Sequence, residues 1–160
     1  MRTKLRPEEL GDYLDRPECA ILGVHLPDGG ILLRPVWHEW REGAFVFTTD
    51  MRDRKFRCLE ADPRCSMTVA EDEWPYRTLE VRGTAVWSRD GYREAAKRIF
   101  ARYYPHGDAE RYAEAFDVEE SPGVVVTVAP GVLTVFDYLD EKPAGTGGAG
   151  ARAGATPSAG

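Results

Sequence analysis

Residues 32–69 read LLRPVWHEWREGAFVFTTDMRDRKFRCLEADPRCSMTV. Two β-rich runs, 31–40 and 44–48, are separated by Arg41-Glu42-Gly43. The glycine supplies the positive φ that a short hairpin loop needs. The second run ends in Thr48-Thr49, and Arg52, Arg54, Lys55 and Arg57 follow at the start of a helix expected over 55–61. Asp62-Pro63 closes that helix, because a residue before proline avoids the α region. Hydroxyls, cationic side chains and free backbone N–H groups at a helix start suit an anionic group such as a phosphate. A strand over 65–70 follows. The stretch therefore reads as a nucleotide-like cofactor site built on a β-barrel.

Outward from this stretch, the N-terminal side offers a short helix over 7–14, a strand over 19–25 and the turn Pro27-Asp28-Gly29-Gly30. The first three strands thus form an antiparallel meander. On the C-terminal side, 71–76 is a loop of acids and aromatics, and 78–88 alternates strictly. Leu79, Val81, Gly83, Ala85 and Trp87 face one way, and Gly83 in mid-strand marks a bend or a close backbone approach. Asp90 is placed to cap a helix to about Tyr103, with Ala95, Ile99 and Phe100 on its apolar stripe. Pro105-His106-Gly107 breaks it. Asp108 begins a second helix carrying Tyr112, Ala115 and Phe116. Residues 124–129 and 132–139 read as two strands joined at Pro130-Gly131. Six or seven strands with an inserted helical pair make a mainly β, α+β barrel over residues 1–141. Residues 142–160 (KPAGTGGAGARAGATPSAG from 142) hold too few large apolar side chains to offset ordering entropy, so a disordered tail is expected.

Composition narrows the function. The chain has 160 residues, 42% hydrophobic and 30% charged, with net charge −6. That size supports one domain with a hydrophobic core. The charge argues against a non-specific nucleic-acid binder and makes the basic cluster after Thr49 stand out, although Asp50 and Asp53 dilute it. Three cysteines (Cys19, Cys58, Cys65) without a CxxC pair, and a charged N-terminus, give the expectation of a reducing, cytoplasmic setting. No apolar run approaches the ~20 residues of a membrane span. The histidines His25, His38 and His106 lack ligand spacing, so no metal site is expected. No nucleophile motif or phosphate-binding glycine loop appears, and no side chain is singled out as catalytic. Trp40 and Trp87 read as core, whereas Trp74 and Tyr76 in their acidic loop suit stacking on a planar ring. An anion anchor with flat surfaces and no acid–base constellation fits chemistry carried by a redox cofactor.

AILGVHLPDGG, RPVWHEW, FVFTT, RKFRCLEADPRCSMTV and WPYRTLEVRGTAVW together resemble the pyridoxamine 5′-phosphate oxidase-like proteins. Within them, the chain is similar to the deazaflavin (coenzyme F420)-dependent oxidoreductases of actinobacteria. The resemblance runs from about Pro7 to Leu139. It implies a six- to seven-stranded antiparallel split β-barrel with flanking short helices. It also implies a cofactor site in which Arg54 and Lys55, helped by Thr48 and Thr49, bind the phosphate. Pro35, Val36 and Trp37 would line the ring, and Trp74 and Tyr76 would close over it. A homodimer with cofactor at the subunit interface is implied too. Many relatives carry another basic residue where this chain has Asp53. The implied reaction is hydride transfer between reduced coenzyme F420 and a small conjugated or unsaturated acceptor. The same residues also suit FMN in an oxidase or reductase of the pyridoxamine 5′-phosphate oxidase type, or a flavin carrier without turnover. Arg57, Arg77 and Arg82 are the candidates to receive the deazaflavin's acidic tail.

Overall fold

The computed structural model describes residues 2–3, 5–104, 107–119 and 122–138. The expected tail over 142–160, Pro105-His106 of the expected breaker and Leu139 of the expected final strand lie outside them. Among the described residues the strands are β1 (Arg2–Thr3), β2 (Ala20–His25), β3 (Ile31–Val36), β4 (His38–Arg41), β5 (Ala44–Asp50), β6 (Arg64–Ala70), β7 (Arg77–Ser88) and β8 (Gly123–Asp137). The helices are a 3₁₀ segment (Pro7–Asp15), α1 (Arg54–Ala61), α2 (Tyr92–Tyr103) and α3 (Ala109–Ala115). One antiparallel sheet runs in the order β3-β2-β6-β7-β8-β5-β4, with the short β1 added to β8. It is the curled, split-barrel sheet that the sequence implies, with short flanking helices.

The run over 31–40 is one element in the sequence reading and two in the fold. Residues 31–36 pair with β2 at one end of the sheet, and residues 38–41 pair with β5 at the other. The chain breaks at Trp37 because it must pass between the two sheet ends there. The hairpin that follows turns on Gly43 at φ 78°, with Glu42 also left-handed at φ 52°. The meander survives with its middle strand shared between the two edges.

The C-terminal strands differ from expectation in a second way. Pro130-Gly131 is no turn, and β8 is continuous over 15 residues. Arg82 lies opposite Val132 and Gly83 opposite Pro130, so Gly131 is the extra residue of a bulge. Proline is tolerated there because a bulge already interrupts the ladder. Gly83 makes the close approach foreseen for it: a Cβ at this position would lie 2.2 Å from the Ala129 carbonyl oxygen.

Alternation places Leu22, Val24, Phe45, Phe47, Met67, Leu79, Val81, Val126 and Val128 inside the barrel. Phe56 and Leu59 of α1 close one end of that core. Trp40 packs edge-on to Phe45, whereas Trp87 leans on Phe56 and remains 38% exposed. The helical pair packs outside β5, with the Tyr92 ring beneath Gly123, where a Cβ would stand 2.3 Å from it. Gly91 rather than Asp90 caps α2, and Asp108 caps α3 by accepting the Arg111 N–H at 3.1 Å. The three cysteines are free thiols. No helix among the described residues is long and apolar enough to cross a membrane.

Candidate cofactor site

Helix α1 begins where β5 delivers Thr48, Thr49 and Asp50 to the rim of the barrel. Asp53 is its N-cap: one carboxylate oxygen accepts the Lys55 backbone N–H at 3.0 Å, and the other pairs with the Lys55 ammonium. Burial pushes the Asp53 carboxyl up, but the Lys55 hydrogen bonds and charge, with help from Arg34, hold it below its ordinary value overall. Lys55 is thus pinned in place, its side chain 14% exposed.

Two adjoining cavities share Thr48, Lys55 and Phe100. The smaller, about 270 Å³, is completed by Pro35, Val36, Trp37 and Ile99. The larger, about 390 Å³, extends past Thr49 towards Tyr92 and Phe116, with Asp50 and Asp53 at its rim. Thr49 is buried and its hydroxyl makes no hydrogen bond. Thr49 shares the inward face of Phe45 and Phe47 on β5, and its hydroxyl is fully buried there.

The helical pair fixes the aromatic wall. Trp37 lies parallel to Tyr103, ring centroids 5.1 Å apart at 6°, and edge-on to Phe100 at 5.6 Å. The Tyr103 hydroxyl stands 2.7 Å from the Glu18 carbonyl and 2.9 Å from His38 Nδ1. Burial first, and the Arg102 charge second, push buried His38 down to about 3, so it is neutral at ordinary pH. Glu39, also buried, accepts three hydrogen bonds from Arg98 of α2, at 2.7, 3.1 and 3.2 Å. Adjacent residues of β4 therefore tie down the helix whose rings border the cavities.

Of the residues singled out in the sequence, Pro35, Val36, Trp37, Thr48 and Lys55 come together in the smaller cavity and Thr49 lines the larger. Arg54 goes elsewhere. With Arg57, His25 and Leu26 it lines a separate cavity of about 500 Å³ on the opposite flank of α1, because consecutive helical residues point 100° apart. Trp74 and Tyr76 form an aromatic group with Tyr138, at centroid distances of 5.5 Å to each other and 5.4 Å from Trp74 to Tyr138. Tyr138 follows the C-terminal end of β8, whereas Thr48 and Thr49 pair with Val125 and Val124 at its N-terminal end. One chain therefore holds the two groups apart. Arg77 is not available to a ligand's acidic tail: Glu71 and Asp12 pair with it, and it donates to the Leu10 carbonyl at 2.9 Å.

Arg34, close enough to Asp53 to lower its pKa, and Tyr92, Ile99, Phe100 and Phe116 border the site without having been singled out for it. The apolar stripe of α2 was legible, but what it faces is a tertiary fact. Among the described residues no group of histidine, cysteine and acidic side chains is arranged to hold a metal ion.

Residues 7–128 match the pyridoxamine 5′-phosphate oxidase family. The chain belongs to that family. Several solved structures share the pyridoxamine 5′-phosphate oxidase fold with it. A protein described as an F420 reductase is 26% identical, with TM-score 0.60, covering 76% of this chain and 93% of that one. The conserved hypothetical protein Rv2991 from Mycobacterium tuberculosis is 20% identical with TM-score 0.74, covering 91% and 94%. An FAD-binding protein from Mesorhizobium loti is 19% identical with TM-score 0.60, covering 84% and 93%. A comparison with curated protein sequences returns no match.

Proposed function

We propose that this chain is an oxidoreductase that uses coenzyme F420 to pass hydride to or from a small conjugated or unsaturated organic molecule. The observation that carries the reading is the convergence of Lys55 and Thr48 in a groove walled by Pro35, Val36 and Trp37, with Thr49 lining the adjoining cavity. The residues present fit such a cofactor. Lys55 and Thr48, reinforced by Arg34 nearby, would hold its charged end, and Trp37 would border its ring. When bound, the cofactor supplies the hydride chemistry. The protein's part is to orient the reactants and keep water from them, which needs no side-chain nucleophile. The similarity to an F420 reductase favours the deazaflavin. The match of residues 7–128 to the pyridoxamine 5′-phosphate oxidase family is the reason to keep FMN, in an oxidase or reductase of that type, as the second reading.

A homodimer belongs to the proposal. The outer face of the sheet carries a trough in which Ile21, Ile31 and Leu33 are 38%, 53% and 60% exposed, bordered by Glu80 and Arg82. An apolar trough edged by opposite charges is self-complementary about a two-fold axis. A second copy is also what could bring Trp74 and Tyr76 to a cofactor held by Lys55. Three free thiols accord with a cytoplasmic setting.

Parallel titrations of the purified protein with FMN and with the deazaflavin, read by fluorescence and visible absorbance, test the cofactor. Saturable, tighter binding of the deazaflavin is expected, and Lys55→Ala weakens it by about tenfold, as for removal of a charge-assisted anchor. Unchanged affinity in that variant removes the anchor. Tight binding with no oxidation of the reduced cofactor by any acceptor in a panel makes the chain a carrier.

A further inference from the structure

Trp37 has no ladder to hold it. Val36 is the last residue of β3 and His38 the first of β4, so the residue between them belongs to neither pairing. Its ring is set by side chains instead. It lies parallel to Tyr103 at 5.1 Å and 6°, and Phe100 meets it edge-on at 5.6 Å. Trp37 lines the smaller cavity beside Lys55, whereas Tyr103 is not among the residues that line either cavity.

The Tyr103 hydroxyl is held from two sides. It stands 2.7 Å from the Glu18 carbonyl oxygen, just ahead of β2. On β4 it stands 2.9 Å from His38 Nδ1 and 3.2 Å from the His38 backbone nitrogen. Two oxygens 2.7 Å apart need a proton between them, and a carbonyl brings none, so the hydroxyl donates to Glu18. The His38 carbonyl, at 3.4 Å, is the more distant acceptor. The hydroxyl oxygen then accepts from the His38 backbone N–H and from Nδ1, which must carry the ring proton. One donated and two accepted bonds saturate it. Nε2 is the bare nitrogen, buried without a partner on a ring whose centroid is 5.0 Å from that of Phe45. Next to Tyr103, Arg102 donates to the Leu14 and Arg16 carbonyls at 2.9 and 2.8 Å. The end of α2 therefore clasps three alternate carbonyls of the segment 14–18 while it bonds to β4.

We infer that Tyr103 is a positioning residue for the groove: its hydroxyl, bonded to Glu18 and to an Nδ1-protonated His38, fixes the ring on which Trp37 is stacked. The hydroxyl thereby controls how tightly a flat ring beside Trp37 is held, without touching it. The effect on cofactor affinity rests on the redox reading above, whereas the placement of Trp37 does not.

The test begins on the full chain without cofactor. Proton–nitrogen correlations within the histidine rings show His38 as the Nδ1–H tautomer, and the Nε2–H tautomer overturns the inference. Tyr103→Phe then keeps the ring and removes the hydroxyl. The chain has four tryptophans, so the Trp37 part of the near-ultraviolet dichroism is read as wild type minus Trp37→Phe. Tyr103→Phe removes about half of that part or more, with an unchanged far-ultraviolet spectrum. A near-ultraviolet spectrum identical to wild type overturns the inference.

In fluorescence titrations with the deazaflavin and FMN, Tyr103→Phe weakens whichever binds by about threefold. Tyr112→Phe, a hydroxyl lost from the other helix of the pair, leaves affinity unchanged. His38→Asn, whose amide N–H stands in for Nδ1–H, binds about threefold more tightly than His38→Leu. Undiminished affinity in a folded Tyr103→Phe chain, or equal affinity in the two His38 variants, overturns the inference and leaves the redox reading standing. Should Tyr103→Phe fail to fold, the wild-type tautomer and the His38 pair decide. If neither cofactor binds the wild-type chain, the redox reading falls, and the tautomer and the dichroism still decide what places Trp37.

Discussion

The two flanks of α1 differ more than their sequence does. Lys55 is half-buried, tied to the Asp53 cap and shared between two cavities beneath the helical pair. Arg54, one residue earlier, stands on the opposite side, facing His25 and Leu26. Neighbouring cations thus have separate surroundings, fixed by where Phe56 and Leu59 anchor the helix in the core. Basic residues that look like one cluster along a chain are distributed by helical phase once the apolar side is set. On the function proposed above, the anion is held on the flank where a second element restricts access to water.

That contrast depends on the helical pair staying docked, and the largest effect comes from undocking it. Glu39→Ala strands the Arg98 guanidinium and costs about 2–3 kcal/mol in urea unfolding, less than a fully buried pair because the Arg98 side chain is 41% exposed. It should also redden Trp37 emission, since that ring loses its Tyr103 stack. A cost within error shows that the Lys55 flank is roofed by something other than this pair.

Next in size is an acid effect from the same roof. Burial holds His38 neutral in the folded chain, so the unfolded chain takes up a proton first as pH falls through 6.5. Stability is complete above that point and declines by at most about 1.4 kcal/mol per pH unit below it, about 2 kcal/mol between pH 6.5 and 5. His38→Gln flattens the upper part of this limb, between pH 6.5 and 5, where carboxylates contribute little. An unaltered slope in urea midpoints across that window assigns the acid sensitivity to other groups.

The smallest effect is the sharpest test of the comparison. Arg54→Ala changes cofactor affinity less than about twofold, against about tenfold for Lys55→Ala. Equal losses in fluorescence titrations would mean that the two flanks serve one ligand.

What could be read from the residues was the local part. The Gly43 turn, the Asp62-Pro63 stop, the strict alternation of 78–88 and the tight approach at Gly83 all follow from neighbours in sequence. Pro130-Gly131 misled because the same two residues that make a turn also suit a bulge, and only the facing Gly83 decides between them. The break at Trp37 was hidden because a strand that changes partners keeps its composition. For the site, hydroxyls and a cation at a helix start could be read from the residues, whereas Pro35, Val36 and Trp37 came only from the family resemblance. Separating Arg54 from Lys55 needed the helix phase, and finding Phe100 and Phe116 needed the docking of α2 on β5. Trp74 and Tyr76 sit at the other end of β8, which local patterning cannot reveal.

The crossing at Trp37 has one more implication. Strands β3 and β4 are the two ends of the sheet order, and between them runs a covalent link rather than a ladder of amide hydrogen bonds. The seam of the barrel is accordingly its most yielding line, whereas β7 and β8 are laced together along their length. Pro35 and Val36 reach that seam still laddered to Ile21 and Ala20 of β2, so on the function proposed above any give that admits a cofactor falls at Trp37, where the ladder stops.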